Sequence, residues 1–446
     1  MRHVLALCMR PSVLAPCALL FAACGAWAPH APATALEPSR PLWVLAPHPD
    51  DEALFGAEPI RRALREGRDV SVLVMTNGDL GCERDGHLRQ RETVAAMAAL
   101  GLAEDRIHFL GYPDGYLDAL GEQPLPPRER RALDGSCGLG AGTYASRGAG
   151  HADVHTRRTG APGPYTAAAA IDDLRALLED EHPSDVYVAH PIDEHPDHAT
   201  TYVLLRRALE VASIEPPRVH RALVHVGGCW PNGDRGREPC DAITGELGTP
   251  YPPLPAPLAA YAPNEHLVVD DGGAEARAAI AQYRSQLHVE VEHDWLGTFA
   301  RGESIAWHET LVREGERVVR TRPHPDDGSA PPFEIALEAT IPGSGGVELS
   351  IGAESEPVRV ELTTHEITFA HGSTVLRRVF VPEVEGTHRW SLRVDPRSDD
   401  AVTELELRRD GSIAAYAIDL DQAPAPQARA AAREGARCTN PSMTPS

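Results

Sequence analysis

Short apolar runs that alternate with helical segments fill residues 42–228, and this pattern restricts the fold more than any other feature of the chain. The apolar runs are continuous and read LWVLAP, DVSVLVMTNG, RIHFLG, DVYVAH and VHRALVHVGG. Helical spacing of apolar residues covers 53–66, 88–100, 167–181 and 199–211. Because continuous apolar strands are buried on both faces, they indicate a mostly parallel sheet between helices. We therefore predict an α/β fold with a Rossmann-like, doubly wound sheet, which binds ligands beyond the carboxyl ends of its strands.

The pattern changes to alternation of apolar and polar residues after residue 330, in FEIALEATI, VRVELTTHEITFAH, TVLRRVFV, HRWSLRV and VTELELRR. This period of two predicts a smaller C-terminal antiparallel β-sandwich over residues 331–420. We assign residues 40–310 to the α/β domain and 311–330 to a linker, and we expect residues 421–446 to be disordered. The Gly- and Pro-rich stretch 112–164 is either a pocket wall or a surface excursion.

Charge and composition exclude several classes of function. The 446 residues include 65 acidic and 42 basic side chains, a formal charge of -23, which argues against a nucleic-acid partner. All of the basic residues are arginine. The absence of lysine excludes a Schiff-base lysine, a P-loop lysine and a Ser–Lys pair within this chain. The oligomeric state has no signature in the sequence.

The amino terminus has the features of an export signal. We assign residues 1–24 to a signal peptide and residues 25–39 to a Pro- and Ala-rich linker. The segment LLFAAC resembles a lipobox with Cys24 as a lipidated, membrane-anchoring residue, and simple cleavage at a small residue is the alternative. Either route places the protein outside the cytoplasm, in the periplasm or cell envelope. We expect a disulfide between Cys229 and Cys240, and Cys82 with Cys137 is a second candidate pair.

Two clusters of histidine and carboxylate follow two predicted strands. PHPDDE, residues 47–52, ends the first strand, and HPIDEHPDH, residues 190–198, follows DVYVAH. The carboxyl ends of parallel strands share one rim, so the clusters should meet; the alternative is helix-capping acids with incidental histidines. A second PHPDD, at residues 323–327, stands in the predicted linker, and we interpret its His324, Asp326 and Asp327 as a turn.

The two clusters together suit hydrolysis assisted by a metal ion. Two imidazoles and a carboxylate bind a divalent ion such as zinc and leave positions open for water and substrate. Such an ion acidifies a bound water and polarises a carbonyl oxygen. Neighbouring side chains diverge, so one of Asp50 and Asp51 can bind the ion while the other acts as general base. His195 is placed to protonate a leaving amine or to stabilise the oxyanion.

At these residues the sequence resembles the PIG-L/LmbE-like family of zinc-dependent N-acetylglucosaminyl deacetylases. The resemblance covers residues 42–307 and includes TNGD, RQRETVAAMAALG, LGYPDG, AIAQYRSQ and FARGES. It implies zinc, or another divalent ion, bound by His48, Asp51 and His198. It also implies Asp50 as general base, His195 as acid or electrophile with Asp197 as its orienting partner, and Arg91 as a substrate contact.

The hypothesis that follows is an exported deacetylase that removes an N-acyl group from an amino sugar or glycoconjugate. Hydrolysis of a non-sugar amide by the same residues is an alternative. A sugar-binding envelope protein with an inactive deacetylase domain is another, although a binding relic has no need of the base Asp50. In a lectin-like sandwich Trp390 could stack on a sugar ring, but a lone tryptophan in a strand is more often part of the core.

Overall fold

The computed structural model describes residues 40–420 except for several internal stretches. Those stretches are 127, 133–134, 146–151, 227–229, 232–247, 255–260, 262, 288–294, 322–332, 342–346, 352–357, 363–365, 372–373, 381–385, 397–401 and 411. The predicted signal peptide with Cys24, the predicted linker 25–39, the C-terminal tail, the second PHPDD copy and the pair Cys229 and Cys240 all lie outside the described residues. Cys82 is disulfide-bonded, while the side chain of Cys137 is not among those described.

The first 321 residues contain the strands β1 (Leu42–Ala46), β2 (Val70–Thr76), β3 (Ile107–Tyr112), β4 (Arg128–Ala132), β5 (Gly135–Leu139), β6 (Asp185–Ala189), β7 (Arg218–Ala222), β8 (Glu265–Val268), β9 (Glu303–Glu314) and β10 (Arg317–Thr321). In the described part of the chain, eight of them form the central sheet in the order β10-β9-β7-β6-β1-β2-β3, with β8 added to β9. β4 and β5 form a separate hairpin.

The central sheet reverses its strand order beside β1. β1 pairs in parallel with β2 on one side and with β6 on the other. β2 with β3 and β6 with β7 are also parallel. All residues of β1 are buried, which is why its sequence is continuously apolar. The predicted α/β fold with a mostly parallel sheet is confirmed, and its topological switch point lies between the two strands that carry the histidine clusters.

The helices are α1 (Asp51–Leu54), α2 (Ala57–Arg65), α3 (Glu83–Ala99), α4 (Val154–Thr159), α5 (Ala167–Glu181), α6 (Pro196–Val211) and α7 (Ala274–Ile280). The first predicted helix is divided at Gly56, where a Cβ atom would lie 2.8 Å from Val44 Cγ1. Pro59 stands in the first turn of α2, where a missing N–H has no intrahelical partner to lose. No described helix combines the length and the apolar content that a membrane span requires.

Residues 311–321 belong to the central sheet rather than to the predicted linker. β9 runs through residue 314 and pairs antiparallel with β7, and β10 pairs antiparallel with β9. Gly315, with φ of 63°, supplies the turn between β9 and β10. Burial alternates along part of β9, which is the signature of an antiparallel strand near a sheet edge. The domain boundary predicted at residue 310 is therefore wrong, since β9 and β10 form an antiparallel edge of the same sheet.

Two antiparallel four-stranded sheets follow, in the orders β11-β16-β17-β18 and β12-β13-β14-β15. Their strands are β11 (Phe333–Ile341), β12 (Val347–Ile351), β13 (Val358–Leu362), β14 (Glu366–His371), β15 (Thr374–Phe380), β16 (Gly386–Pro396), β17 (Val402–Arg409) and β18 (Ser412–Leu420). The predicted antiparallel strands are therefore present. Trp390 on β16 is 1% exposed, so it belongs to the core and has no ring face free for a sugar.

Candidate active site

The histidine clusters after β1 and β6 meet at the switch point of the central sheet. His48 Nδ1 lies 3.1 Å from His198 Nε2 and 3.3 Å from Asp51 Oδ2, and His198 Nε2 lies 3.2 Å from Asp51 Oδ2. All three side chains are buried. Zinc bonds of about 2.0–2.1 Å in a tetrahedral site place ligand atoms roughly 3.3 Å apart. The three atoms therefore have the mutual spacing of ligands around one divalent ion.

Carboxylates behind the imidazoles orient them toward this point. His48 Nε2 lies 3.1 Å from Asp197 Oδ2 and 3.1 Å from Asp114 Oδ1. Asp197 is itself fixed, because it accepts hydrogen bonds from the amides of Gly115 at 2.7 Å and Leu117 at 2.9 Å. A proton held on Nε2 by these carboxylates leaves the Nδ1 lone pair of His48 free to bind a cation.

His198 has the same arrangement with its ring nitrogens exchanged. Its Nδ1 lies 3.4 Å from Asp193 Oδ2, and Asp193 accepts hydrogen bonds from the amides of His195 and Val224. Burial opposes protonation, but the carboxylates of Asp51 and Asp193 raise the pKa of His198 to about 10. Four buried carboxylates thus face two imidazoles, and this excess of negative charge favours a bound cation.

Asp50, next to the ligand Asp51, points to a different partner. Its backbone has φ of 141°, a conformation that is costly for a residue with a side chain. Asp50 stands at the N-terminus of α1 but makes no capping hydrogen bond, and its Oδ2 lies 3.2 Å from Arg89 Nη2. Burial, together with the charge of Asp51, raises the pKa of Asp50 to about 8, while Arg89 opposes this shift.

Arg89, rather than the predicted Arg91, is the arginine of α3 that reaches the site. Its guanidinium donates to the carbonyls of Gly78 at 2.8 Å and Pro49 at 2.9 Å, and to Gln286 Oε1 at 2.6 Å. Arg91 is exposed on α3. Residues two apart on a helix point to different faces, so the structure does not bring Arg91 to the site.

His195 adjoins the cluster, but its partner differs from the predicted one. Its ring centroid lies 4.6 Å from that of His48, and its Nδ1 accepts the amide hydrogen of Asp197 at 3.2 Å. The carboxylate of Asp197 is bonded to His48 instead, so Asp197 does not orient His195 through its side chain. Burial and the neighbouring imidazoles of His48 and His198 lower the pKa of His195 well below its usual value.

Comparison with known proteins agrees with this geometry. Residues 43–209 match the family model PIG-L, described as GlcNAc-PI de-N-acetylase. The chain contains a PIG-L domain. Two relatives named 1D-myo-inositol 2-acetamido-2-deoxy-alpha-D-glucopyranoside deacetylase are similar to it. The protein of Mycobacterium sp. (strain JLS) is 29% identical over 206 residues, which are 42% of this chain and 56% of the relative. That of Kineococcus radiotolerans is 28% identical over 271 residues, 56% of this chain and 68% of the relative.

The chain thus spans little more than half the length of the first of these relatives, 56%. Among solved structures, N,N'-diacetylchitobiose deacetylase from Pyrococcus horikoshii has 16% identity and a TM-score of 0.34, covering 57% of this chain and 73% of that one. A conserved protein from Thermus thermophilus has 21% identity and a TM-score of 0.33, covering 56% of this chain and 81% of that one.

The site also contains residues that were not assigned to it from the sequence. Asp114 follows β3 in LGYPDG, a stretch noted only as family-like, and its place after a parallel strand was the available signal. Asp193 was noted only because it precedes His195. His225 has its ring centroid 4.9 Å from that of His198 and 5.2 Å from that of Trp295.

A segment after α7 supports the PHPDDE box from a distance in sequence. Gln286 Nε2 donates to the carbonyl of Pro49 at 2.8 Å, and the hydroxyl of Tyr283 donates to Glu52. Ser285 binds Glu92 through its amide at 2.8 Å. The QYRSQ segment therefore contacts both the PHPDDE box and α3.

Part of the long stretch 112–164 lies against the TNGD residues. The carbonyl of Tyr144 accepts from Asn77 Nδ2 at 2.7 Å, and its hydroxyl donates to Asp79 at 2.6 Å. Burial raises the pKa of Asp79 to about 6. Tyr165 is 1% exposed. This packing favours the pocket-wall interpretation. The Tyr144 hydroxyl is already bonded to Asp79, and Tyr165 is buried.

Two other sets of side chains in the described part of the domain bring ligand atoms within 4.8 Å of one another. They are His48, His195 and His198, and His48, Asp114 and Asp197. In the second set, both carboxylates approach the Nε2 atom of His48 at 3.1 Å, as hydrogen-bond acceptors do. In the set of His48, Asp51 and His198 the three ligand-atom separations are all between 3.1 and 3.3 Å, which is the spacing around one tetrahedral ion.

Proposed function

We propose that this protein is a metal-dependent N-deacetylase that removes an N-acyl group, by preference N-acetyl, from an amino sugar or glycoconjugate. The observation that carries the proposal is the convergence of His48 Nδ1, Asp51 Oδ2 and His198 Nε2 at 3.1–3.3 Å, with Asp50 beside them. A divalent ion held there, zinc by preference, polarises an amide carbonyl and acidifies a water.

The residues around that point have separate tasks in the proposed reaction. Asp50 accepts the proton of the attacking water, and Arg89 holds its carboxylate in place. His195 accepts a hydrogen bond at Nδ1 from the Asp197 amide, so its neutral ring carries the proton on Nε2. From Nε2 it donates to the carbonyl oxygen as negative charge develops there. The leaving amine takes up the proton that Asp50 received.

The substrate class rests on the chemistry of the site and on the named relatives. The family description and the relatives' names both refer to the acetamido group of a glucosamine unit. Another amide processed by the same residues is the alternative substrate. The lectin-like alternative loses its support with Trp390, because that ring is buried. We further propose export to the periplasm or envelope, anchoring through Cys24, and packing of the two C-terminal sheets as a sandwich.

Acetate release from N-acetylglucosaminyl-inositol, N-acetylglucosamine and N,N'-diacetylchitobiose tests the proposal. We expect turnover by the zinc-loaded wild type and a loss of about 1,000-fold in kcat for Asp50→Asn with zinc retained, since a general base contributes on this order. Asp105→Asn changes an exposed residue and is the matched control. Zinc binding without acetate release from any of these sugars would indicate that the substrate is another amide. Equal activity of Asp50→Asn and wild type would contradict the assignment of the base.

A further inference from the structure

We infer that the C-terminal sheet containing β17 positions the second histidine cluster of the site, with Tyr261 and Glu404 as positioning residues. The inference extends the proposed function, because it treats His198 as a metal ligand. It rests on a continuous chain of buried hydrogen bonds that leads from β17 to the loop after β6, and it gives the C-terminal sheets a role in the chemistry.

The hydrogen-bond chain begins at Glu404 on β17 and ends at Asp193, the carboxylate next to His198. Glu404 Oε1 accepts the hydroxyl hydrogen of Tyr261 at 3.2 Å, and Tyr261 Oη lies 3.1 Å from His190 Nε2. His190 is fully buried at the end of β6. Its Nδ1 accepts from the amide of Ile192 at 3.2 Å, and its carbonyl accepts from the amide of Asp193 at 2.9 Å.

Each hydrogen bond in this chain has one permitted direction. The amide of Ile192 can only donate, so His190 Nδ1 is the acceptor and its proton lies on Nε2. That N–H donates to the Tyr261 oxygen, whose own hydrogen goes to the Glu404 carboxylate. The carboxylate on β17 therefore makes the Tyr261 oxygen an acceptor for His190 Nε2, and this contact holds the ring that accepts from the Ile192 amide.

Glu404 is held at the junction of the two parts of the molecule. It is 2% exposed and pairs with Arg320 of β10, and Arg221 Nη2 of β7 lies 3.6 Å away. The hydroxyl of Tyr416 on β18 also donates to it. Two buried guanidinium groups therefore flank this carboxylate at the β17 end of the hydrogen-bond chain.

The hydrogen-bond chain ends at Asp193, which lies next to the proposed metal ligand His198. Asp193 Oδ2 lies 3.4 Å from His198 Nδ1 and also accepts from the amides of Val224 and His225. A shift of Asp193 would move the carboxylate that faces His198 Nδ1 on the side of the ring opposite Asp51. The sheet thus acts on the site through the placement of one carboxylate.

The experiment compares Tyr261→Phe with Tyr187→Phe in the full-length protein. Tyr187 lies on β6, three residues before His190; it is buried, and its hydroxyl donates to Glu265 at 2.7 Å rather than to a member of the hydrogen-bond chain. Both variants lose one buried hydroxyl. Zinc affinity is measured by competition with a chelator, and hydrogen exchange is measured for the peptide that covers residues 190–198 without added metal. Glu404→Gln tests the same chain from the β17 side.

We expect Tyr261→Phe to weaken zinc binding by about tenfold, the lower end of the effect of outer-shell partners, and to accelerate exchange of the Ile192 and Asp193 amides. Tyr187→Phe should leave both unchanged, and Glu404→Gln should follow Tyr261→Phe by a smaller factor. The inference is overturned if these amides exchange in Tyr261→Phe as in the wild type, or if Tyr187→Phe has the same effect. Because exchange needs no metal, this outcome is distinct from a failure of the proposed function.

Discussion

Adjacent residues in this site have different roles because the backbone points their side chains in different directions. Asp51 faces His48 and His198, whereas Asp50, in its left-handed conformation, faces Arg89. Asp197 and His198 divide in the same way, since Asp197 turns back to orient His48. The sequence reveals which residue types are present, but a direction that depends on one φ angle is visible only in three dimensions.

Arg89 and Arg91 on α3 give the sharpest contrast between neighbours. We expect Arg89→Ala to lower kcat/KM by about 100-fold, because misplacement of a reacting group by about 1 Å has an effect of that size. Arg91→Ala should remain within twofold of wild type, since Arg91 is exposed. Steady-state acetate release measures both. A loss in Arg91→Ala with a normal Arg89→Ala would restore the assignment made from sequence.

Asp197 should affect the metal rather than His195. We expect Asp197→Asn to weaken zinc affinity by about 10–100-fold, because it removes the carboxylate that orients His48. Titration of the metal-free protein with zinc measures the change, and Asp180→Asn, an exposed aspartate on α5, is the control. Unchanged affinity with a lower kcat would instead indicate that Asp197 serves His195.

At the scale of elements, Glu181 connects the C-terminus of α5 to the first residues of β1, β2 and β3. This carboxylate accepts from Trp43 Nε1 at 2.8 Å and Ser71 Oγ at 2.6 Å, and it lies 3.1 Å from His108 Nε2. Burial would raise the pKa of Glu181, but these hydrogen bonds lower it from 4.5 to about 2. A depressed pKa means that the carboxylate stabilises the fold above pH 4.5 and loses this effect as the pH falls to about 2.

Glu181→Gln tests this linkage. The difference in free energy of unfolding between wild type and variant should be largest near neutral pH. It should shrink by on the order of 2 kcal/mol as the pH falls through the interval between the two pKa values. Urea denaturation at a series of pH values measures it. A difference that is constant with pH would show that Glu181 has an ordinary pKa in the folded protein.

The elements themselves were largely predictable, and their exceptions have physical causes. Continuous apolar runs identified the five parallel strands, since only strands buried on both faces have that composition. β9 and β10 were assigned partly to a linker, because their alternating pattern resembles the C-terminal sheets more than the parallel strands. Gly56 interrupts the first predicted helix where it approaches Val44, a contact between elements that no local pattern records.

At the scale of the whole molecule, buried ion pairs join the C-terminal strands to the α/β part. Arg206 of α6 lies 2.9 Å from Glu406 of β17, and Arg408 lies 2.7 Å from the same carboxylate. We expect Glu406→Gln to lower the free energy of unfolding by about 3–5 kcal/mol, because it leaves the buried guanidinium of Arg206 without its paired carboxylate, while Arg408 keeps Glu210. Glu66→Gln removes the exposed pair with Arg62 and should cost less than about 1 kcal/mol. Equal effects in urea denaturation would contradict the packing described.

Some residues of the candidate site could be identified from the sequence, and others are recognised only once the fold brings them to it. His48, Asp51, His198, Asp50 and His195 were identified before the structure, because both clusters follow parallel strands. Asp114 and Arg89 were not, since their partners His48 and Asp50 lie 66 and 39 positions away in the chain. Asp193 is only five positions from His198, but its orientation depends on the conformation of the loop after β6. The link from β17 to His190 had no local signal at all.

The measurement that tests the central claim most directly is anomalous scattering at the zinc edge from crystals of the zinc-loaded protein. We predict one strong peak at about 2.0–2.2 Å from His48 Nδ1, Asp51 Oδ2 and His198 Nε2. A peak on the other side of the His48 ring, between Asp114 and Asp197, or no peak at the switch point in a protein that is folded and saturated with zinc, would contradict it.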